Sequence, residues 1–168
     1  YLARGATGLT ILGMMGEAPK LSVAESVAFA RHVVARVAGR VPVVVGVSSP
    51  GFAAMGELAK AVMDGGASGV MVAPSGALRT DDAVFRYFGQ VAETLGGIHW
   101  VLQDFPQSTN VHISPAVIRR VNDVANAILR EDAIVARFRE LGAAPRITSP
   151  DETLTFMRAE REKWGAVA

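Results

Sequence analysis

The 168-residue chain contains no cysteine, which excludes disulfides and thiolate metal sites. No apolar stretch reaches the ~18 residues that a membrane-spanning helix needs, so no membrane partner is expected. An excess of one charge is missing too: 17 Lys+Arg stand against 16 Asp+Glu, a formal charge of +1, and no Lys/Arg run occurs. Such a chain has no field to steer a polyanion, and nucleic acid is not an expected partner. The three histidines, His32, His99 and His112, lie far apart in sequence; surface or core positions suit them better than a shared metal site. No G-x-G-x-x-G follows the first apolar run, which weakens a dinucleotide-binding reading. Tyr1-Leu2-Ala3-Arg4-Gly5 lacks the charged-then-apolar order of a signal peptide, and the expected location is cytoplasmic. What the chain does have is 50% hydrophobic residues and a length that suits one domain with a real core.

Apolar, β-branched runs recur at Gly8–Leu12, Val41–Val47, Gly69–Ala73 and Ile98–Leu102. None alternates apolar with polar, the pattern of parallel strands buried on both faces. Amphipathic helical patterns separate them. Ser22–Val37 opens with a Ser22/Glu25 capping box. Pro50–Asp64 follows Ser49, read as an N-cap with proline at the first helical position. Asp81–Leu95 is the third, and Ser114-Pro115 starts a fourth. Two helix-to-strand turns are near copies, Gly5-Ala6-Thr7-Gly8-Leu9 and Gly66-Ala67-Ser68-Gly69-Val70. Glycine in such a turn ends a helix in a left-handed conformation. Strand starts spaced by roughly 30 residues fit a repeated βα unit. That repeat builds an open doubly wound sheet or a (β/α)₈ barrel, and the barrel needs eight strands in ~250 residues.

Residues 1 to about 121 resemble the dihydrodipicolinate synthase / N-acetylneuraminate lyase family of class I aldolase-type barrels. The resemblance rests on GATGLTILGMMGEAPKLSVAE (Gly5–Glu25), GRVPVVVGV (Gly39–Val47), GGASGVMVAPS (Gly65–Ser75) and VLQDFP (Val101–Pro106). These look like the second to fifth strands with their turns. The resemblance implies an α/β fold, a partial TIM (β/α)₈ barrel of about four parallel βα units over residues 1–121. A helical C-terminal tail follows over 122–168. The resemblance also implies Schiff-base lyase or aldolase chemistry on pyruvate or a related 2-keto acid, with no cofactor. A lysine amine forms an imine that acts as the electron sink. Hydroxyls in the glycine-glutamate turn hold the carboxylate, and a tyrosine relays protons.

Gly13, Met14, Met15, Gly16, Glu17 and Asp104 are therefore the expected substrate-binding residues, and Gln103 stands at the tyrosine position. Met14 and Met15 occupy the two hydroxyl positions, where the backbone N–H groups remain available to a carboxylate. A neutral amide at Gln103 cannot relay protons as a phenol does. Plainer roles compete: packing for both methionines, a backbone contact for Glu17, and loop capping for Asp104. The imine lysine belongs on a sixth strand after Val121, and no such strand is read there. Lys20 precedes a helix, Lys60 falls within one, and Lys163 lies near the C-terminus. The expectation is a chain truncated before the imine lysine and inactive as written. The alternative is a non-catalytic fusion remnant, or a small-carboxylate binding or association module. Open parallel edges favour a homo-oligomer.

The pattern changes near Asn122, with a join expected at Val121–Ala125. Ile128, Val135, Phe138 and Leu141 suit one apolar stripe ended by Gly142. Ser149-Pro150-Asp151-Glu152 reads as a capping box opening a helix to about Trp164, and the Arg158–Lys163 charges as its solvated face. This tail resembles the C-terminal end of tripartite tricarboxylate transporter solute receptors, on ILREDAIVARFRELGAAP and SPDETLTFMRAEREKWG.

Overall fold

The fold is taken from a computed structural model, which describes residues 1–128, 130–140 and 147–165. Side chains at 125, 128, 137, 138, 140, 160, 161 and 163–165 are not described. The chain forms two compact units, Tyr1–Ile113 and Ser114–Ala168.

Unit 1 contains the strands β1 (Leu9–Ile11), β2 (Val43–Gly46), β3 (Gly69–Val72) and β4 (Trp100–Leu102). They pair in the order β1-β2-β3-β4, all parallel. Between them run α1 (Val23–Val37), α2 (Phe52–Asp64) and α3 (Asp81–Leu95), and α4 (Pro106–Thr109) follows β4. Four parallel strands alternating with helices are the expected partial barrel.

Local chemistry sets the helix starts. Ser22 Oγ accepts from the Glu25 N–H at 3.3 Å while Glu25 Oε2 accepts from the Ser22 N–H at 2.9 Å, which completes the expected capping box. Thr80 caps α3 by accepting from the Ala83 N–H at 3.3 Å. Ser49 behaves otherwise than expected. Its Oγ accepts from the Gly51 N–H at 3.4 Å, a turn that competes with helix. The helix therefore starts at Phe52, with Gly51 as its N-cap. The two copied turns share a left-handed glycine, Gly5 at φ 86° and Gly66 at φ 95°, which the absent side chain permits.

The register separates the two faces of the sheet. Ile11, Val45, Val70 and Trp100 are mutual neighbours along one row, on the side the helices cover. Val45, Val70 and Val72 are fully buried there, together with Met55, Val62, Val84 and Val91. An aromatic chain ties α3 to β4: Tyr87 meets Phe88 edge-on at 5.2 Å, and Phe88 stacks on Trp100 at 6.0 Å. Thr10, Val44, Met71 and Val101 belong to the opposite face. Val101 is 52% exposed, and Thr10 is exposed as well. Burial on both faces, expected from the unbroken apolar runs, is not what the sheet shows. A closed barrel covers this inner face with opposing strands, and the described residues supply four strands.

Unit 2 contains α5 (Pro115–Ile128), α6 (Asp132–Glu140) and α7 (Pro150–Gly165). The residues expected at the join lie inside α5, and the compact units divide earlier, at Ile113/Ser114. Asn122 and Asn126 both donate through Nδ2 to the Thr148 carbonyl, at 3.0 and 2.9 Å, fixing the entry to α7 against α5. Ser149 and Glu152 cap α7 reciprocally: Ser149 Oγ accepts from the Glu152 N–H at 3.2 Å, and Glu152 Oε2 accepts from the Ser149 N–H at 2.8 Å. Val135 is half-buried. The expected stripe partners Ile128, Phe138 and Leu141, and the stop at Gly142, lie outside the described residues or side chains.

Candidate functional site

The chain leaves β1 by a sharp backbone turn. Leu12 is buried yet adopts a left-handed φ of 52°, a conformation that costs a β-carbon-bearing residue about 1–2 kcal/mol. Its carbonyl lies over the end of β2, so close to Gly46 that a β-carbon there would sit 1.9 Å from Leu12 O. Gly46 thus admits the turn. A short 3-10 turn follows over Met14–Gly16, closed by the Gly16 N–H donating to the Gly13 carbonyl at 2.8 Å. Glu17 is the second left-handed residue, at φ 56°. Strained residues therefore stand on both sides of Gly13–Gly16, and such strain persists only where surrounding structure enforces it.

This turn forms the wall of a cleft of about 340 Å³ at the C-terminal ends of the strands. Gly13, Met14, Met15 and Gly16 line it together with Gln103. Those are five of the residues singled out in the sequence, brought to one place from either edge of the sheet. Glu17 and Asp104 are not among the lining residues. Both are exposed, and Glu17 Oε1 instead accepts from Lys20 Nζ at 2.7 Å. Thr10, Ile11, Leu12, Phe29 and Met71 complete the cleft and were not singled out. For Thr10 and Met71 the signal was alternation, since both share the inner face of the sheet with Gln103; Phe29 comes from α1 and had no such signal.

The cleft offers an apolar wall and few polar groups. Met14 is half-buried and Met15 is 83% exposed, and a thioether is at best a weak acceptor. Within the turn the Gly16 N–H is engaged with the Gly13 carbonyl, while the first amides of a helical turn have no acceptor inside it. Gln103 supplies a neutral amide with both donor and acceptor. No described lysine lines the cleft. Lys60 Nζ is paired with Asp64 at 3.0 Å and is largely exposed, Lys20 is paired with Glu17, and the side chain of Lys163 lies outside the described set. Among the described residues no cluster of three His, Asp or Glu side chains suits a metal ion.

A second hollow of about 310 Å³ lies across Met14, with hydroxyls from Ser26, Ser48, Ser75 and Tyr87. Ser48 Oγ accepts from the Ala73 N–H at 2.8 Å, and Tyr87 Oη donates to the Ala73 carbonyl at 3.3 Å. These two bonds fix the exit of β3. Burial pushes the Tyr87 phenol above its ordinary value.

The fold recurs in solved proteins. A dihydrodipicolinate synthase from Rhodopseudomonas palustris superimposes with a TM-score of 0.68 at 49% identity, over 72% of this chain and 40% of that one. YagE, an E. coli K12 prophage protein of the dihydrodipicolinic acid synthase family, solved in complex with pyruvate, gives 0.66 at 30% identity, over 73% and 41%. The 4-hydroxy-tetrahydrodipicolinate synthase of Sorangium cellulosum is 33% identical over 163 residues, 92% of this chain and 54% of that protein. The chain thus spans 43% to 54% of the length of such curated relatives. Residues 1–134 match the dihydrodipicolinate synthetase family, running past the end at about 121 expected from the sequence. The chain belongs to the dihydrodipicolinate synthetase family.

Proposed function

We propose that unit 1 is the carboxylate-holding part of a keto-acid lyase, and that this chain binds a small 2-keto acid reversibly without forming an imine. The observation that carries the reading is the single cleft joining the Gly13–Gly16 turn to Gln103. Turn amides suit a carboxylate, Gln103 suits a keto or hydroxyl oxygen, and the methionines favour the apolar side of a short-chain acid. Pyruvate is the natural probe, since it occupies a structural relative of the same family. Imine formation requires a neutral amine aimed at the keto carbon. Lys20 and Lys60 are exposed and engaged with carboxylates, and neither borders the cleft. In Schiff-base chemistry the chain's own contribution is then to hold and orient the acid. A cytoplasmic enzyme of this class is the setting the reading assumes.

Equilibrium dialysis with labelled pyruvate, followed by borohydride and denaturation, tests it. The expected result is saturable binding with no label retained by the denatured chain. Retained label overturns the absence of an imine, and no saturable binding overturns the site.

For the helical tail, the reading is a receptor-type ending joined to a barrel segment by gene fusion. It is supported by α6 and α7 following one another with no strand among the described residues 135–165. Residues 1–134 match the family and a Sorangium relative aligns over 163 residues, so the fusion reading is drawn with its junction after the expected Val121–Ala125. A sequencing read spanning the source DNA on both sides of codons 119–134 tests it. An unbroken frame supports the fusion, and additional sequence carrying a lysine-bearing strand overturns it.

A further inference from the structure

The residue that aims the Gly13–Gly16 turn lies just outside it. β1 ends at Ile11, paired with Val45. At Leu12 the backbone turns left-handed, and at Gly13 it is extended again, at φ −73° and ψ −176°. One residue therefore redirects the chain between the strand and the cleft wall. Nothing local favours that conformation in leucine, because glycine visits it freely and asparagine or aspartate only through local side-chain bonds. Tertiary contacts have to hold it. The Leu12 side chain is 5% exposed, and burying a leucine stabilises by more than the left-handed backbone costs. The Leu12 carbonyl rests on the bare backbone of Gly46, where a β-carbon would overlap it. Beyond the kink the turn is seated from another side. A β-carbon on Gly13 would come within 3.0 Å of Met71 Cε and 3.9 Å of Gln103 Nε2, so Met71 fills the space between the turn and β3. None of these contacts uses an open edge of the sheet.

We propose that Leu12 is the positioning residue of the cleft: its buried side chain holds a left-handed backbone, and that backbone sets Gly13 against Met71 and beside Gln103, where the acid binds. The ligand rests on the keto-acid reading above; the placing of the turn does not. In this arrangement the side chain acts on the cleft only through its own backbone. Trimming it to a β-carbon keeps the left-handed cost and removes the burial that offsets it, so residue 12 relaxes toward the extended or right-handed regions and the turn leaves its seat. Glycine loses the same burial but carries no such cost, and the turn stays over Gly46. Two truncations that are nearly alike to the core thus differ at the cleft.

Leu12→Ala and Leu12→Gly in the full chain test it, with far-UV circular dichroism as the check on folding. Pyruvate dialysis reads the cleft, and the Met71 methyl resonance reads the seat of Gly13 without any acid. Leu12→Ala is expected to weaken pyruvate binding roughly 10-fold and to shift the Met71 methyl. Leu12→Gly is expected to bind within about 3-fold of the wild type and to leave the methyl near its wild-type position. Leu12→Ile serves where the alanine variant does not fold. It keeps the buried volume, yet a β-branched residue resists the left-handed region more than leucine does, and it should behave as alanine does in both readouts. Equal losses in the alanine and glycine variants would make Leu12 an ordinary core residue, and an unmoved Met71 methyl in the alanine and isoleucine variants would leave the turn indifferent to it; either overturns the proposal. If the wild-type chain binds no pyruvate, the keto-acid reading falls by itself, and the methyl comparison still decides the role of Leu12.

Discussion

Gly46 has nowhere to put a side chain. A β-carbon there meets the Leu12 carbonyl at 1.9 Å and the Gly13 nitrogen at 3.0 Å, and both atoms are backbone, which cannot swing aside. Gly46→Ala should cost at least about 2 kcal/mol and displace the Gly13–Gly16 turn, whereas Gly89, within α3 and with open space around it, should gain about 0.5–1 kcal/mol as alanine. Urea denaturation of the two variants checks both signs. Tyr87 makes a pH prediction. Burial raises its pKa in the folded chain, so its contribution is present below its unfolded value and is lost as pH rises through the raised one. Stability should fall on the alkaline side. Tyr87→Phe should flatten that limb and cost about 1 kcal/mol at neutral pH through the lost bond to Ala73, as thermal melts across an alkaline series would show. At this scale Met14, Met15 and Gln103 were singled out through the family resemblance of the segments around them, and they line one cleft. The sequence hid Leu12 and Gly46, because a left-handed leucine and a crossing carbonyl leave no local signature. Thr10 and Met71 were hidden as well, since face membership depends on register, and Phe29, on α1, because its approach to the cleft is tertiary.

Elements were more legible, for a physical reason. A capping box is a local exchange of two hydrogen bonds within four residues, and Ser22/Glu25 and Ser149/Glu152 both form as read. The Glu25 carboxyl is held below its ordinary pKa, chiefly by the Ser22 backbone N–H and then by its hydroxyl. Its stabilising contribution is therefore present above the unfolded carboxylate value and is lost as pH falls through the lowered one. Glu25→Gln should blunt the acid limb of helix stability, as circular dichroism below pH 5 would report. Ser49 was misread because two competing local bonds begin with the same residues, a helix cap and a two-residue serine turn, and the turn prevails. The clamp of Asn122 and Asn126 on the Thr148 carbonyl joins positions more than 20 residues apart, beyond any local pattern. Asn126→Ala should cost about 1–2 kcal/mol within unit 2 and speed amide exchange at the start of α7. The α1–α3 amides should be unchanged.

At the scale of the molecule, the repeat of strand and helix announced parallel βα units, and the order β1-β2-β3-β4 follows from them. The sequence could not show that one face of this sheet stays half-open. The same valine-rich runs serve a strand buried on one side or on two, and only the number of strands opposite decides. The cleft has the same origin: it exists because β1 and β4 deliver Gly13–Gly16 and Gln103 to the same end of the sheet, whatever each segment does alone. Restoring donors should therefore sharpen binding without adding chemistry. Met14→Thr with Met15→Thr is expected to tighten pyruvate binding several-fold, by roughly 0.5–1.5 kcal/mol per bond made, with borohydride trapping still negative. The most direct measurement is a titration of the ¹⁵N-labelled chain with pyruvate, followed by amide chemical shifts. Saturable shifts are expected, concentrated at Gly13, Met14, Met15, Gly16 and the Gln103 side-chain amide. Shifts confined to other residues, or none at saturating acid, would contradict the proposed site.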